Sequence, residues 1–191
     1  MEQLSDEVLM GEVMAGKTMA LAMLVERYHA PLLGYLYRLA SGDRPLAEDL
    51  VQETFLNILQ QRGYNVGRPF KPWLYAIATN RARDYFKSAA VRRVVRQSDS
   101  NEDDVAPQRC DEASGPEAVT LALEQGDEIN AMLHRLSEEY RVALLLRFYQ
   151  GMSLQEIADT LHIPLGTVKS RLSVGTRQLR KLLSPMKEGV E

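Results

Sequence analysis

The sequence contains few of the residues that disulfide frameworks, metal centres and membrane spans require. Its 191 residues include one cysteine, Cys110, so an internal disulfide and a zinc site built on paired cysteines are both excluded. No apolar run reaches the roughly 18 residues of a membrane-spanning helix. The acidic start of the chain does not lead into a signal-peptide core. We therefore expect a cytoplasmic protein with no metal, no cofactor and no segment inserted in a membrane.

Strand signals and active-site patterns are equally scarce. The chain has no alternating β-branched runs and no Asn-Gly or Asp-Gly hairpin turns. Its histidines, His29, His134 and His162, are far apart and have no neighbouring ligand pattern. A glycine-rich phosphate loop is also missing. We expect an all-α fold and no enzymatic activity.

What the chain does have is a strong segregation of charge beneath a net charge of −3. Residues 71–96 carry seven Lys and Arg against one acid, and residues 97–128 carry ten acids against one base. Residues 162–187 then carry six bases and no acid. Two basic blocks separated by an acidic stretch indicate two surfaces that face polyanions, although a random distribution of surface charge is an alternative.

Apolar residues at three- and four-residue steps predict helices in both halves of the chain. In the first half, four helices are expected: one that Ser5 caps and Gly16 ends, one with an apolar stripe over 19–39, and two over about 45–61 and 70–90. Residues 97–116 are rich in Ser, Asp, Glu and Pro, which predicts a flexible linker. We expect two small helical domains, a flexible acidic linker between them and a tail, with the boundaries 1–95, 96–116, 117–184 and 185–191.

Residues 153–183 carry the most specific local pattern. Ser153 and Glu156 have the spacing of a capping box, and Pro164 is suited to the start of a second helix. Gly175 would allow that helix a close approach to its neighbour. Its opposite face is predicted to present polar and basic side chains, namely Thr167, Lys169, Ser170, Arg171, Ser173, Val174 and Arg177. This arrangement is typical of a helix-turn-helix that reads the major groove, with a plain helical hairpin as the alternative.

A second pattern lies on the third predicted helix. Its polar residues Asp49, Gln52, Glu53, Asn57 and Gln60 recur on the face opposite an apolar stripe that includes Leu46, Leu50, Phe55, Ile58 and Leu59. Acidic groups there would repel phosphates, so the face suits a protein partner better than DNA. An ordinary solvated face is the alternative.

In the third pattern, over residues 69–85, aromatic side chains alternate with amide and basic side chains. Aromatic rings that stack on nucleobases, together with Lys and Arg side chains that contact phosphates, are typical of proteins that bind single strands. Phe70 and Trp73 are equally suited to the core or to stacking, whereas Tyr85 and Phe86 are expected in the core.

These three stretches resemble bacterial RNA polymerase sigma factors, most closely the extracytoplasmic-function (ECF) group. The Pro-Leu-Gly-Thr-Val-Lys-Ser-Arg string at 164–171, with 136–158 before it, is similar to sigma region four. Residues 47–55 resemble the region-two helix that docks on the clamp coiled coil of the polymerase, and residues 69–85 resemble the minus-ten helix.

The resemblance implies a sigma factor that binds the clamp coiled coil and flap of core RNA polymerase and directs promoter-specific initiation. The helix-turn-helix would read duplex DNA at minus thirty-five, and an anti-sigma factor would sequester the protein. The residues implied at the minus-ten element are Tyr64 and Asn65, around a flipped base, and Lys71, Trp73, Asn80, Arg83, Asp84 and Lys87. Asp84 would either accept from a cytosine amine or pair with Arg81 or Lys87. The alternative is a stand-alone helix-turn-helix regulator, which would bind duplex operator DNA without the polymerase.

Overall fold

The computed structural model describes residues 4–60, 64–65, 67–99 and 127–183, without the side chains of 92–99, 127 and 128. Within these ranges every regular element is helical, which confirms the all-α prediction. The elements are α1 Asp6–Met14, α2 Thr18–Leu39, α3 Arg44–Leu59, α4 Phe70–Asp99, α5 Asp127–His134, α6 Glu138–Leu144, a π-helical turn Leu145–Tyr149, α7 Leu154–Leu161 and α8 Leu165–Leu183. The predicted linker begins inside α4, and the rest of it lies outside the described residues, as does the predicted tail.

The helix starts follow local capping chemistry. The Ser5 hydroxyl accepts the Val8 N–H at 3.3 Å, and the Asp43 carboxylate accepts the Leu46 N–H at 3.0 Å. At α7, Ser153 and Glu156 form both bonds of a capping box. These side chains satisfy N–H groups that have no partner within the helix. The predicted starts of α1 and α7 are therefore confirmed.

Helices α1–α4 form a first unit, which we call the first domain. Its core includes Leu24, Tyr35, Phe70 and Tyr75, all of them inaccessible to solvent. The Glu7 carboxylate in α1 accepts the backbone N–H of Phe70 at 3.1 Å, and this bond holds the Glu7 pKa below its usual range. Because the carboxylate caps the N-terminus of α4, α1 fixes where that helix begins.

Helices α5–α8 form the second domain, in which α7 and α8 make the helix-turn-helix. His162 ends α7 in the left-handed conformation, at φ 53°. Gly175 is buried in α8, and a Cβ built there would lie 3.2 Å from both Tyr140 and Leu144. The close approach expected at Gly175 is confirmed.

Two side chains that the sequence assigned to the core are on the surface instead. Leu59 is 48 % exposed because its neighbour Ile58 points inward, and adjacent helical residues are rotated by about 100°. Tyr85 is 41 % exposed for the same reason, since Phe86 takes the position that packs against the core. Those two assignments are wrong.

The two domains pack against each other. Buried residues of both domains belong to one hydrophobic cluster, and Leu133, Leu145 and Met152 are among its members from the second domain. Helix α7 is the element of the helix-turn-helix that packs on α4. The two domains therefore share one hydrophobic cluster, and α4 lies against the second domain.

Candidate polymerase and nucleic-acid interfaces

The polar face of α3 points to solvent. Asp49, Gln52 and Glu53 are all exposed, as the sequence pattern requires for a partner-binding face. Asn57 is half-buried, and its amide donates to the Glu53 carbonyl at 2.7 Å. Its side-chain oxygen accepts from Arg81 at 2.9 Å, so Asn57 also ties α3 to α4.

Two exposed leucines extend this acidic face; the sequence pattern did not single out Leu56 and assigned Leu59 to the core. Leu56 is 55 % exposed and Leu59 is 48 % exposed, at the C-terminal end of α3. We call Asp49, Gln52, Glu53, Leu56 and Leu59 the α3 face. Exposed leucines beside carboxylates are suited to a protein partner, which can bury the apolar side chains and pair with the charges.

On α4, three residues implied at the minus-ten element are open to solvent: Asn80, Asp84 and Lys87. Arg81, one of the partners considered for Asp84, donates to Asn57 instead. An amide, a carboxylate and an amine at three- and four-residue steps form one polar strip along α4. Such a strip offers both donors and an acceptor to base edges.

The aromatic residues at and just before the start of α4 lie in the core. Tyr64, Phe70 and Trp73 are 5 %, 0 % and 4 % exposed, and the rings of Tyr64 and Trp73 are 4.8 Å apart. The Tyr64 hydroxyl donates to the Arg68 carbonyl at 2.8 Å, and burial raises the pKa of this phenol. In this arrangement neither Tyr64 nor Trp73 offers a ring to a nucleotide, whereas Asn65 is exposed.

Helix α8 presents most of its predicted residues to solvent. Lys169, Ser170, Ser173 and Arg177 are exposed, and Thr167 and Val174 are half-buried beside them. Arg171 differs, because it is half-buried and forms an ion pair with Glu139 of α6 at 2.9 Å. This guanidinium therefore has a structural partner within the second domain.

Two of the basic side chains implied at the minus-ten element form hydrogen bonds with the second domain, which the sequence did not indicate. The Lys71 ammonium donates to the Gln150 carbonyl at 2.8 Å. The Arg83 guanidinium donates to the Glu138 carboxylate at 2.6 Å. Both contacts join α4 to the second domain, so each of these cations already has one partner there.

Gln150 follows the π-helical turn and makes further polar contacts with the first domain. It is 9 % exposed, its Nε2 donates to the Pro31 carbonyl at 3.1 Å, and its Oε1 accepts from the Tyr75 hydroxyl. One side chain thus bridges α2 and α4. The only sequence signal for it is its position at the end of an apolar helix, immediately before Gly151.

His134, at the end of α5, also contacts the first domain. Its Nε2 donates to the Arg38 carbonyl at 2.7 Å. Its Nδ1 faces the Arg141 guanidinium and lies 2.9 Å from the Ser41 hydroxyl. Burial, and then the charge of Arg141, lower the pKa of His134 from 6.5 to about 4. The imidazole is therefore neutral at pH 7.

This shift leads us to expect that acid weakens the structure. Because the native pKa of about 4 lies below the ordinary 6.5, the unfolded chain binds more protons than the folded chain between these values. The stability that depends on neutral His134 is complete above pH 6.5 and is lost as the pH falls toward about 4. The thermal midpoint should fall from pH 7 to pH 5, and it should fall less in His134→Gln. An equal fall in both proteins would contradict the assignment.

The described residues show none of the features of a metal centre or a membrane span. No three His, Cys, Asp or Glu side chains among them are grouped so as to hold a metal ion. None of the helices described above combines the length and apolar character that crossing a bilayer requires.

Comparison with known proteins connects these surfaces to a family. Residues 24–92 match the Sigma-70 region 2 family, and residues 126–179 match the Sigma-70, region 4 family. The ECF RNA polymerase sigma-E factor of Haemophilus influenzae is 30 % identical over 97 % of this chain and 98 % of its own length. The ECF RNA polymerase sigma factor SigL of Mycobacterium tuberculosis is 35 % identical over 90 % of this chain and 93 % of its own.

Two solved structures have similar folds. The sigma factor RpoE of Bartonella quintana, solved in complex with the anti-sigma factor NepR, has a TM-score of 0.62 and is 26 % identical; the match covers 85 % of this chain and 96 % of that one. CnrH, solved in complex with the cytosolic domain of CnrY, has a TM-score of 0.70 at 23 % identity and covers 94 % and 97 % of the two chains. The latter likeness shows the fold alone.

The α3 face, the polar strip of α4 and the helix-turn-helix thus lie in a chain of sigma type. The protein belongs to the ECF group of RNA polymerase sigma factors, which direct transcription initiation. This confirms the resemblance noted in the sequence and the interpretation as a sigma factor rather than a stand-alone regulator.

Proposed function

We propose that this chain binds core RNA polymerase through the α3 face and reads two promoter elements with α4 and α8. The observation that carries the proposal is that one acidic, partly apolar face and two separate polar or basic faces lie on different helices. A protein partner and two stretches of DNA can therefore be bound at once. The protein would act in the cytoplasm, where it would meet the polymerase.

Within this proposal, Asp49, Gln52, Glu53 and Asn57 contact the clamp coiled coil, with Leu56 and Leu59 packing beside them. The minus-ten contacts are Asn65, Lys71, Asn80, Arg83, Asp84 and Lys87, and Tyr64 and Trp73 would join them only if the aromatic cluster rearranged. The minus-thirty-five contacts are Thr167, Lys169, Ser170, Arg171, Ser173, Val174 and Arg177. The second domain would also contact the polymerase flap.

The proposed domains are 1–95 and 117–184, joined by the acidic stretch 96–116, with 185–191 as a tail. Two DNA-binding surfaces on one tether need only modest affinity each, since binding of the first raises the effective concentration of the second. The relative from Bartonella quintana is bound by an anti-sigma factor. We propose that an anti-sigma factor also binds this chain and covers the same faces.

A mobility-shift titration tests the proposal. A promoter fragment, selected by transcription of a fragmented genome with the reconstituted holoenzyme, is mixed with the chain, with core polymerase or with both. We expect specific binding with both proteins together, and weak or no specific binding with the chain alone. Tight specific binding by the chain alone would support the stand-alone regulator instead. Failure to obtain any transcript with core polymerase would contradict the proposed function itself.

A further inference from the structure

Arg171 differs in its surroundings from the other cations of the proposed minus-thirty-five face. Lys169 and Arg177 are exposed, whereas only 21 % of the Arg171 side chain is accessible to solvent. Its Nη2 lies 2.9 Å from a carboxylate oxygen of Glu139, which belongs to the first turn of α6. One cation of this face is therefore held in place within the protein before DNA arrives.

The close packing of α6 on α8 fixes this ion pair. A Cβ built at Gly175 would lie 3.2 Å from both Tyr140 and Leu144, so the two helices approach closely at that point. Glu139 directly precedes Tyr140 in the chain, and Arg171 lies about one helical turn before Gly175. The close approach therefore places the Glu139 carboxylate beside Arg171.

The position of Arg171 on α8 indicates a phosphate as its target. Helical periodicity places Ser170, Ser173 and Arg177 on one exposed face, with Arg171 at the edge of that face toward α6. The major groove is about 12 Å wide, and a helix with its side chains is about 10 to 12 Å across. The edges of a recognition helix therefore lie against the phosphate backbones, where a guanidinium is suited to a phosphate rather than a base.

The guanidinium group allows one arginine to hold two anions at once. It has five N–H donors in a planar fork, and the contact with Glu139 leaves donors that can face a phosphate. An ordered side chain loses less rotational freedom when it binds. Because Glu139 already orders Arg171, the phosphate contact would form at a smaller entropic cost.

From this geometry we propose that Glu139 is a positioning residue, which orients Arg171 toward a backbone phosphate of the minus-thirty-five duplex. Glu139 does not itself contact the DNA, because phosphate repels a carboxylate. Its contribution is to hold the guanidinium and so to help fix the register of α8 in the groove. This inference rests on the proposed function, since it assigns a role to a residue behind the same DNA-binding face.

Glu139 has two opposite effects on DNA binding, and a matched variant separates them. Its charge weakens binding to any polyanion, while its ion pair strengthens the Arg171 contact. Glu138 lies in the same turn of α6 and has nearly the same exposure, 44 % against 45 %, but it pairs with Arg83. Glu138→Gln and Glu139→Gln therefore remove the same charge from the same helix end, and only the second weakens the pair with Arg171.

The first measurement is a binding titration with holoenzyme that contains the parent chain, Glu138→Gln or Glu139→Gln. The probe is a duplex with the minus-thirty-five element, and without the minus-ten element, of a promoter that the parent holoenzyme transcribes. Glu139→Gln should bind about 2- to 5-fold more weakly than Glu138→Gln, as expected for an exposed ion pair that orders one arginine. Circular dichroism should show the same helical content in all three chains.

A double-mutant cycle tests whether Glu139 acts through Arg171. Arg171→Ala should lower the salt slope of binding by about one unit, as expected for a lost phosphate contact. When Arg171→Ala is present, Glu139→Gln should weaken binding no more than Glu138→Gln does, because the group that Glu139 positions is absent. Arg171→Gln, which keeps most of the aliphatic stem, takes the place of Arg171→Ala if that variant does not fold.

Three results would overturn the proposal: equal binding by Glu139→Gln and Glu138→Gln, the same loss from Glu139→Gln with and without Arg171, or an unchanged salt slope without Arg171. Transcription by the parent holoenzyme is recorded in parallel. If that transcription is normal while one of these results appears, the positioning role is wrong and the proposed function stands. If the parent directs no transcription with core polymerase, the proposed function fails.

Discussion

Replacing Asp49 and Glu53 together with lysine should reduce affinity for core polymerase by on the order of 100-fold, or about 3 kcal/mol. Both carboxylates are exposed on α3, and no ion pair joins either of them to another described residue. Reversal therefore alters the charge offered to a partner without removing such a contact within the chain. Close charge pairs across an interface commonly contribute this much, since reversal replaces attraction by repulsion.

The measurement is co-purification and a binding titration with core polymerase, with helical content followed by circular dichroism. Glu26→Lys is the matched control, because Glu26 is also exposed but lies on α2, outside the α3 face. The control should bind core polymerase normally. If the double variant folds and binds core polymerase as tightly as the parent, then the α3 face is not the docking surface.

The second large effect is expected at Asn80, at the step where the DNA strands separate. Asn80 is exposed on α4 and is not covered by the second domain. If its amide holds an unstacked base, Asn80→Ala should leave closed-complex formation nearly normal and slow promoter opening. A template with a pre-melted bubble should restore transcription, because unstacking costs a few kcal/mol per base and the template then supplies it.

Permanganate reactivity and run-off transcription on matched duplex and bubble templates measure this effect. Lys87→Ala is the contrasting variant, since an exposed amine that contacts phosphate should weaken binding to both templates and lower the salt slope by about one unit. An equal defect of Asn80→Ala on both templates would show that Asn80 acts in folding or in core binding. The opening role would then be wrong.

Some of the fold and of the site could be predicted because the signals are local. A serine and a glutamate three residues apart define the start of α7 whatever lies around them, since both capping bonds are made within one turn. The exposed acids of α3 follow from helical periodicity in the same way. Those features need no knowledge of which elements meet in space.

The tertiary structure decided the remaining features, because each depends on contacts between residues distant in the chain. Whether Tyr64 and Trp73 stack on bases or lie in the core depends on how the loop after α3 folds over α4. Leu59 and Ile58 are equally apolar in sequence, and only the packing of α3 decides which of them is buried. The charge pattern indicated separate basic surfaces, but it could not show that Lys71 and Arg83 form hydrogen bonds with the second domain.

What the sequence alone determined was therefore the helical class, the caps of α1 and α7, the helix-turn-helix and the sigma-type pattern of faces. What only the tertiary structure decided was the contact between the domains. Gln150 has no periodic or motif signal, and it gains its role because a π-helical turn brings its amide between α2 and α4, 75 residues from Tyr75 along the chain. Long-range polar contacts of this kind depend on the complete fold, so no local window of sequence specifies them.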